Sequence, residues 1–253
     1  MSAATLELSI VWPALVAGLL VTATHVPLGI QVLKRGIVFI DLAVAQIAGL
    51  GVVFADWLGF EPHGVGVQTA ALSAALAGAL LLTWTDKHWP EVQEAVIGVT
   101  FIVAANAAIL LLAANPRGGE HLKDLLIGQI LWVRPAELPV VAAVAAAIAA
   151  IWFGTGERIG RIGFYLLFAC AVTVSVQLVG IYLVFTTLIV PALATRRMAR
   201  GRVAMCYVLG ALGYAAGLAL SLVSDLPPGP LIVCAMTALG IAFVIVKSRL
   251  TAQ

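Results

Sequence analysis

Runs of about 20 apolar residues follow one another along most of the chain, separated by short breaks that contain charged residues, proline or glycine. An α-helix of that length crosses the ~30 Å hydrocarbon core of a bilayer. Since 62% of the 253 residues are hydrophobic and only 10% are charged, little of the chain is left for a water-soluble unit. We therefore predict one all-α transmembrane domain over residues 1–253, a polytopic helix bundle of eight or nine spans.

The breaks between the apolar runs predict where the individual spans lie. No charged residue interrupts the chain from Ile162 to Leu193, but about 32 residues are too many for one helix across the bilayer. The polar and flexible stretch from Gln177 to Gly180 predicts two short spans there instead. Residues 122–133 are apolar but too few to cross, and they predict a re-entrant or interfacial helix. The nine spans are expected near residues 9–33, 36–57, 64–85, 92–114, 136–154, 162–178, 180–196, 203–224 and 229–247.

The positively charged residues are distributed unevenly over the predicted loops. If Lys34 and Arg35 face the cytoplasm, strict alternation of nine spans places eleven of the 14 Lys and Arg residues on the cytoplasmic side. The three on the outer side are Arg117, Lys123 and Arg134. Cytoplasmic loops of membrane proteins carry an excess of Lys and Arg. The charges therefore predict an N-terminus outside and a C-terminus in the cytoplasm.

Two polar side chains, Asp41 and Gln46, lie inside the second predicted span, GIVFIDLAVAQIAGLG. An ionisable group at membrane depth costs several kcal/mol unless it faces a cavity or a partner, so Asp41 is a candidate functional residue. The chain has no P-loop and no HExxH or GxSxG motif, which argues against an enzyme and against ATP hydrolysis by this subunit. Its basic residues are scattered over helix ends, so the expected surroundings are membrane lipid and no nucleic acid.

Four segments of the chain are typical of one family: GIQVLKRGIVFIDLAVAQIAGLG (29–51), DLLIGQILWVRPAEL (124–138), VTVSVQLVGIYLVFTTLIVPALATRRMA (172–199) and SDLPPGPLIV (224–233). Together they resemble the permease subunits of the ABC-3 family, the bacterial importers of zinc, manganese and iron. The resemblance implies a permease in the bacterial inner (plasma) membrane that forms a homodimeric pore. It also implies a cytoplasmic ATPase subunit docked on the inner loops and a periplasmic or lipoprotein receptor. The substrate would be a bare divalent metal ion, zinc before manganese or iron, with no permanently bound cofactor.

The expected metal site departs from the family pattern. The family usually has an Asp followed four residues later by His on the second span, whereas here Asp41 is followed by Ala45. Counted from Lys34, His25 lies ~13 Å into the membrane, between the depths of Asp41 (~9 Å) and Gln46 (~16 Å). Our hypothesis is that His25 and Asp41 bind the cation in transit, with Gln46 as an outer partner. Alternatively, His25 hydrogen-bonds a neighbouring helix and Asp41 holds the inner gate.

The inner loop between spans five and six, GTGERIGRIG (154–163), is shorter than in the family. It is basic and contains several glycines, which is compatible with a compact contact for an ATPase. Its charges could equally be the ordinary flank of a membrane span. The predicted ATPase-coupling residues are Glu157, Arg158 and Arg161 of this loop, with Arg196 and Arg197 of the next inner loop as a second contact.

A different function class remains open at the level of the sequence. In a secondary carrier or channel for cations, Asp41 and His25 would relay protons and no ATPase would be needed. The absence of a detectable internal repeat speaks against that alternative.

Overall fold

The computed structural model describes residues 3–61, 64–113, 130–224 and 226–250. These residues form nine α-helices and three short 3₁₀ segments, Pro90–Val92, Ile130–Trp132 and Gly156–Ile159. The predicted all-helical fold is confirmed. The α-helices, numbered here in chain order, are α1 Ala3–Arg35, α2 Ile40–Trp57, α3 Val65–His88, α4 Gln93–Ala113, α5 Leu138–Thr155, α6 Gly160–Val179, α7 Ile181–Ala194, α8 Arg202–Ser224 and α9 Pro228–Leu250.

Eight of the described helices are long and apolar enough to cross a membrane, and α7, with 14 residues, is the shorter apolar helix. The predicted division of residues 162–193 into two helices is confirmed. Gly180 separates α6 from α7 with a φ of +82°, a conformation that glycine adopts without steric cost. The predicted re-entrant helix at 122–133 lies mostly outside the described residues, and its described end, Ile130–Trp132, is a 3₁₀ turn.

Burial divides the helices into a central and an outer set. The apolar windows of α1, α2 and α6 are each 67% buried inside the chain, whereas those of α3, α4, α5 and α9 are 33% buried or less. Helix α1 packs against α5, α7 and α8, while α2 packs against α3, α4 and α6. The outer helices therefore present most of their apolar surface to lipid or to another protein.

Glycines allow close contacts between neighbouring helices. Backbones that approach closely are the usual basis of helix packing in membranes, where the hydrophobic effect contributes little. A Cβ added to Gly51 in α2 would lie 2.7 Å from the carbonyl oxygen of Ala70 in α3. A Cβ on Gly29 would overlap the carbonyl oxygen of Leu188, so α1 and α7 are equally close there.

Pro27 lies inside α1 without breaking the helix. Because proline has no N–H, the carbonyl group of Ala23, four residues earlier, loses its helical donor. The hydroxyl group of Tyr207 in α8 donates a hydrogen bond of 3.0 Å to that carbonyl. A side chain from a neighbouring helix thus restores the hydrogen bond that the proline removes, and it ties α8 to α1.

Candidate functional site

Asp41 lies in the first turn of α2, directly after the short connection that follows the basic end of α1. Its side chain is 1% exposed, and neither carboxylate oxygen has a hydrogen-bond partner among the described residues. A buried carboxylate without a partner costs several kcal/mol. The N-terminal end of a helix offsets only a part of this cost, through its partial positive charge.

A second carboxylate, Glu94 in the first turn of α4, lies next to the start of α2. The backbone N–H of Phe39, the residue before α2, donates a hydrogen bond of 3.3 Å to Glu94 Oε1. Glu94 Oε2 is buried and has no partner among the described residues. Because Phe39 precedes Asp41 by two residues, this hydrogen bond places the Glu94 carboxylate near the first turn of α2. Two such groups repel each other unless a cation or a proton lies between them.

Sequence reasoning did not find Glu94. In the printed sequence it stands at the start of an apolar run, three residues after Glu91, where an acidic residue is an ordinary end of a span. Only the packing of α4 against α2 distinguishes the two glutamates, because it directs Glu94 to Phe39 while Glu91 is exposed. The sequence of this chain alone contains no pattern that distinguishes Glu94 from Glu91.

His25 is fully buried in the middle of α1. Its Nδ1 atom lies 3.0 Å from the carbonyl oxygen of Val21, which can only accept a hydrogen bond. We therefore assign the proton to Nδ1, which leaves Nε2 as an unprotonated acceptor. Nε2 is buried and has no partner among the described residues. This is the form in which a histidine binds a metal ion, with the second ring nitrogen held by a backbone carbonyl.

The structure places Glu94 near the first turn of α2, where Asp41 lies. No hydrogen bond joins His25 to Asp41 among the described residues, although α1 and α2 both pack against α6 and α7. Across the described ranges, no group of three or more His, Cys, Asp and Glu side chains is arranged to hold a metal ion. Gln46 is buried, 5% exposed, more than one turn further along α2. The shared site of His25 and Asp41 stays a prediction.

The predicted coupling loop is fastened to the end of α3. Arg161 places its Nε atom 3.1 Å from Asp86 Oδ2, and its Nη1 donates a hydrogen bond of 2.7 Å to the Asp86 carbonyl. Two glycines with positive φ, Gly156 and Gly160, flank the 3₁₀ turn of the loop. Arg158 is exposed. The side chain of Glu157 lies outside the described part of the structure.

A cavity of about 440 Å³ opens between this loop and the connection from α1 to α2. Its lining includes Arg35, Ile37, Asp86 and Arg161. Arg35 also lies over the ring of Phe164 in α6, 4.2 Å from the ring centre. The coupling loop and the start of α2 therefore belong to the same end of the bundle. Arg196 and Arg197 are exposed in the turn that follows α7.

Comparison with known families identifies the type of protein. The model of the ABC 3 transport family matches residues 7–155 and 154–247, which together are most of the chain. The chain belongs to the ABC 3 transport family. It is thus a multi-pass membrane permease subunit without an ATPase domain of its own, as the sequence predicted. Membership in an ABC family implies an ATPase and a substrate-binding protein as partners.

Individual relatives of this ABC 3 permease are distant but similar over most of their length. The high-affinity zinc uptake membrane protein ZnuB of Haemophilus influenzae is 22% identical over 263 residues, covering 95% of this chain and 99% of its own. A probable metal transport system membrane protein of Chlamydia trachomatis is 23% identical, covering 90% and 85%. The structure of PsaBC from Streptococcus pneumoniae in complex with Fab matches with a TM-score of 0.73 and 19% identity, covering 92% of this chain and 90% of that one. The last match supports the fold.

Proposed function

We propose that this ABC 3 permease forms the membrane path of an importer that moves a bare divalent metal cation into the cytoplasm. Zinc is the first candidate, followed by manganese and iron. Two copies of the chain would form the pore, a cytoplasmic ATPase would supply the energy, and a periplasmic or lipoprotein receptor would deliver the ion. The names of the relatives, one for zinc uptake and one for metal transport, support the substrate class.

The carboxylate pair of Asp41 and Glu94 carries this proposal. Their oxygens without partners are hard, anionic ligands at the end of a buried helix, which suits a divalent cation in transit. With Lys34 and Arg35 in the cytoplasm, the pair lies at the inner end of the membrane path. A cation that arrives there offsets the repulsion between the carboxylates, and hydration of the site from the cytoplasm would release it. His25 would serve as a ligand deeper in the membrane.

The inner loops would connect ATP binding to this pair. Arg158 and the backbone of the loop would meet the ATPase, with Glu157, Arg196 and Arg197 as further contacts. Arg161 would transmit a displacement of the loop to Asp86 at the end of α3. Since α3 packs along α2, the movement would reach the first turn of α2 and therefore Asp41. Within the permease, this route uses only the contact of Arg161 with Asp86 and the packing of α3 against α2.

The decisive experiment measures metal uptake by cells that contain the complete transporter. Asp41→Asn and Glu94→Gln keep the size of each side chain and remove its charge. We expect each variant to lower the uptake of radioactive zinc, manganese or iron at least about tenfold, because even indirect partners of a metal ligand contribute 10- to 100-fold to affinity. Asp56→Asn makes the same chemical change in the last turn of the same helix and is the matched control.

Two results would contradict the proposal. Normal uptake of all three metals by both variants would exclude the carboxylate pair from the path. Uptake that persists without a functional ATPase subunit, and that follows the proton gradient instead, would indicate a self-sufficient carrier. The match to the ABC 3 transport family favours the ATP-driven transporter.

A further inference from the structure

Gln93, the first residue of α4, joins three helices through its buried amide group. Its Nε2 atom donates hydrogen bonds to the carbonyl oxygen of Leu82 in α3, at 3.0 Å, and to the hydroxyl group of Tyr165 in α6, at 3.3 Å. Its Oε1 atom accepts a hydrogen bond of 2.9 Å from the hydroxyl group of Thr85 in α3. Both N–H groups and the carbonyl group of the amide therefore hold the start of α4.

These hydrogen bonds define one position for the start of α4. The side chains of Gln93, Thr85 and Tyr165 are all buried, and a buried polar group costs free energy unless it is hydrogen-bonded. Because the Leu82 carbonyl group can only accept a hydrogen bond, the amide has a single orientation that satisfies its partners. A movement of α4 relative to α3 or α6 would break at least one bond. The three helix ends are therefore expected to move together.

Glu94 follows Gln93 directly in the chain. Its Oε1 atom accepts the hydrogen bond from the backbone N–H of Phe39, and its Oε2 atom is buried without a partner among the described residues. The amide of Gln93 thus fixes the backbone from which the Glu94 side chain reaches the first turn of α2. The place of this carboxylate depends on the three hydrogen bonds of the preceding residue.

Tyr165 connects the same amide with the predicted coupling loop. Arg161 lies four residues before Tyr165, so the two side chains share one face of α6. Arg161 pairs with Asp86 at the end of α3, and the Tyr165 hydroxyl group bonds Gln93 at the start of α4. A displacement of the loop that moves α6 would therefore act on both of these helix ends.

We propose that Gln93 is a positioning residue, which holds Glu94 at the metal path and transmits movements of α6 to it. This inference rests on the role of Glu94 in the proposed function. It adds a second connection, through Tyr165 and Gln93, to the one that runs through α3. Asp41 and Glu94 would then be moved by different helices, α2 and α4. A displacement of the loop would change the distance between the carboxylates and with it their affinity for a cation.

Uptake of radioactive zinc and hydrolysis of ATP by the complete transporter in liposomes test the proposal. Gln93→Leu removes all three hydrogen bonds at similar side-chain size. We expect it to lower uptake at least about tenfold, as the loss of an outer partner of a metal ligand does. Tyr165→Phe removes only the bond to α6. It should lower the number of ions moved per ATP about fivefold, the factor that corresponds to one hydrogen bond.

A matched control separates positioning from stability. Tyr207→Phe removes a tyrosine hydroxyl group that joins α8 to α1, a contact without α3, α4 or α6. It should lower the melting temperature as Tyr165→Phe does, and it should leave the number of ions per ATP unchanged. All variants are purified with the ATPase, and each must elute as a monodisperse complex.

A double variant shows whether Gln93 acts through Glu94. Gln93→Leu combined with Glu94→Gln should take up no less zinc than Glu94→Gln alone, because the carboxylate that Gln93 positions is already absent. Losses that add up in the double variant would overturn the positioning role and assign Gln93 to stability alone.

The variants distinguish a failure of this inference from a failure of the proposed function. Normal uptake by Gln93→Leu, together with reduced uptake by Glu94→Gln, would refute the role of Gln93 and leave the carboxylate pair in place. An unchanged number of ions per ATP in Tyr165→Phe would exclude the connection through α6. Normal uptake by Glu94→Gln would contradict the participation of Glu94 in the path, and with it the basis of the inference.

Discussion

Five of the described residues keep a buried polar atom without a hydrogen-bond partner: His25, Asp41, Glu94, Thr173 and Arg202. The first three carry groups that bind metal ions. Buried polar groups in folded proteins are usually hydrogen-bonded, because an unsatisfied one costs about 1–3 kcal/mol. Such groups persist where a ligand satisfies them for part of the functional cycle. In a permease of the ABC 3 family, the ligand we propose is the transported cation.

His25 makes the choice of metal testable. We expect His25→Ala to reduce zinc uptake by at least about tenfold, and manganese uptake by less, because an imidazole favours zinc more than it favours manganese. The measurement is the ratio of zinc to manganese uptake, compared with the wild type. If the imidazole only packs α1 against its neighbours, uptake of both metals should fall together with the melting temperature. Unchanged uptake of both would contradict a role of His25 in the path.

Tyr207 is expected to stabilise the protein through the carbonyl group that Pro27 leaves free. Tyr207→Phe should lower the free energy of unfolding by about 1 kcal/mol, since it leaves the Ala23 carbonyl without its donor. In a Pro27→Ala background the restored N–H of residue 27 can bond that carbonyl, and the effect of Tyr207→Phe should shrink. Thermal unfolding of the four purified proteins measures this coupling. An equal loss of stability in both backgrounds would show that the Tyr207 hydroxyl group stabilises the protein through another contact.

The sequence could predict only those residues of the candidate site that differ clearly from their neighbours in the chain. Asp41 is recognisable because a carboxylate is rare inside an apolar run. Glu94 is not recognisable, because its role depends on the neighbour that α4 has in the bundle. The predicted shared site of His25 and Asp41 depends only on their similar depths in the membrane. Depth does not determine how each helix is rotated about its axis or which helices it packs against.

At the scale of helices, contacts between backbones determine how the elements fit together. α1 crosses α7 where Gly29 faces the carbonyl group of Leu188, and α2 crosses α3 where Gly51 faces that of Ala70. Apolar side chains of these helices resemble lipid tails in polarity, so the hydrophobic effect does not select one neighbour over another. The close fit of the backbones at these glycines determines instead which helices pack together.

Gly29→Ala is expected to be strongly destabilising. The added methyl group would overlap the Leu188 carbonyl oxygen, and separating the two helices should cost about 1–3 kcal/mol or more. Gly98→Ala is the control, because a Cβ at Gly98 in α4 would meet nothing within 4 Å. There the higher helix propensity of alanine should leave stability unchanged or increase it by up to about 1 kcal/mol. Thermal unfolding in detergent measures both, and equal melting temperatures would contradict the close contact.

The helices of the described ranges and the break at Gly180 could be predicted from the sequence, since length and a polar, flexible turn give local signals. The pairing of helices could not. Apolar residues surround most of these helices on all sides, so no stripe identifies the face that packs inward. The close contacts of Gly29 and Gly51 become visible only when both helices of each pair are in place.

At the scale of the whole molecule, a buried set of helices is surrounded by helices that expose most of their apolar surface. A bundle of this kind crosses the membrane several times, but its packing does not indicate which end faces the cytoplasm. The distribution of Lys and Arg over the loops predicts the orientation. The orientation determines on which side the carboxylate pair and the predicted coupling loop lie.

Cysteine accessibility in intact cells tests the orientation. In a background in which Cys170, Cys206 and Cys234 are replaced by alanine, Val65→Cys at the exposed start of α3 should react with a membrane-impermeant maleimide. Arg200→Cys in the turn between α7 and α8 should react only after the cells are opened. The reverse pattern would place the N-terminus in the cytoplasm and the carboxylate pair at the outer end of the path.

The short helix α7 also has an electrical consequence. Its 14 residues span ~21 Å of a hydrocarbon core that is ~30 Å thick. Water that reached both ends of α7 would make the membrane voltage fall over that shorter distance. A divalent ion that moves inward through a voltage of 100 mV, negative inside, gains about 4.6 kcal/mol from the field. A steeper gradient leaves that total unchanged, so the voltage favours inward movement of a cation equally wherever its path lies.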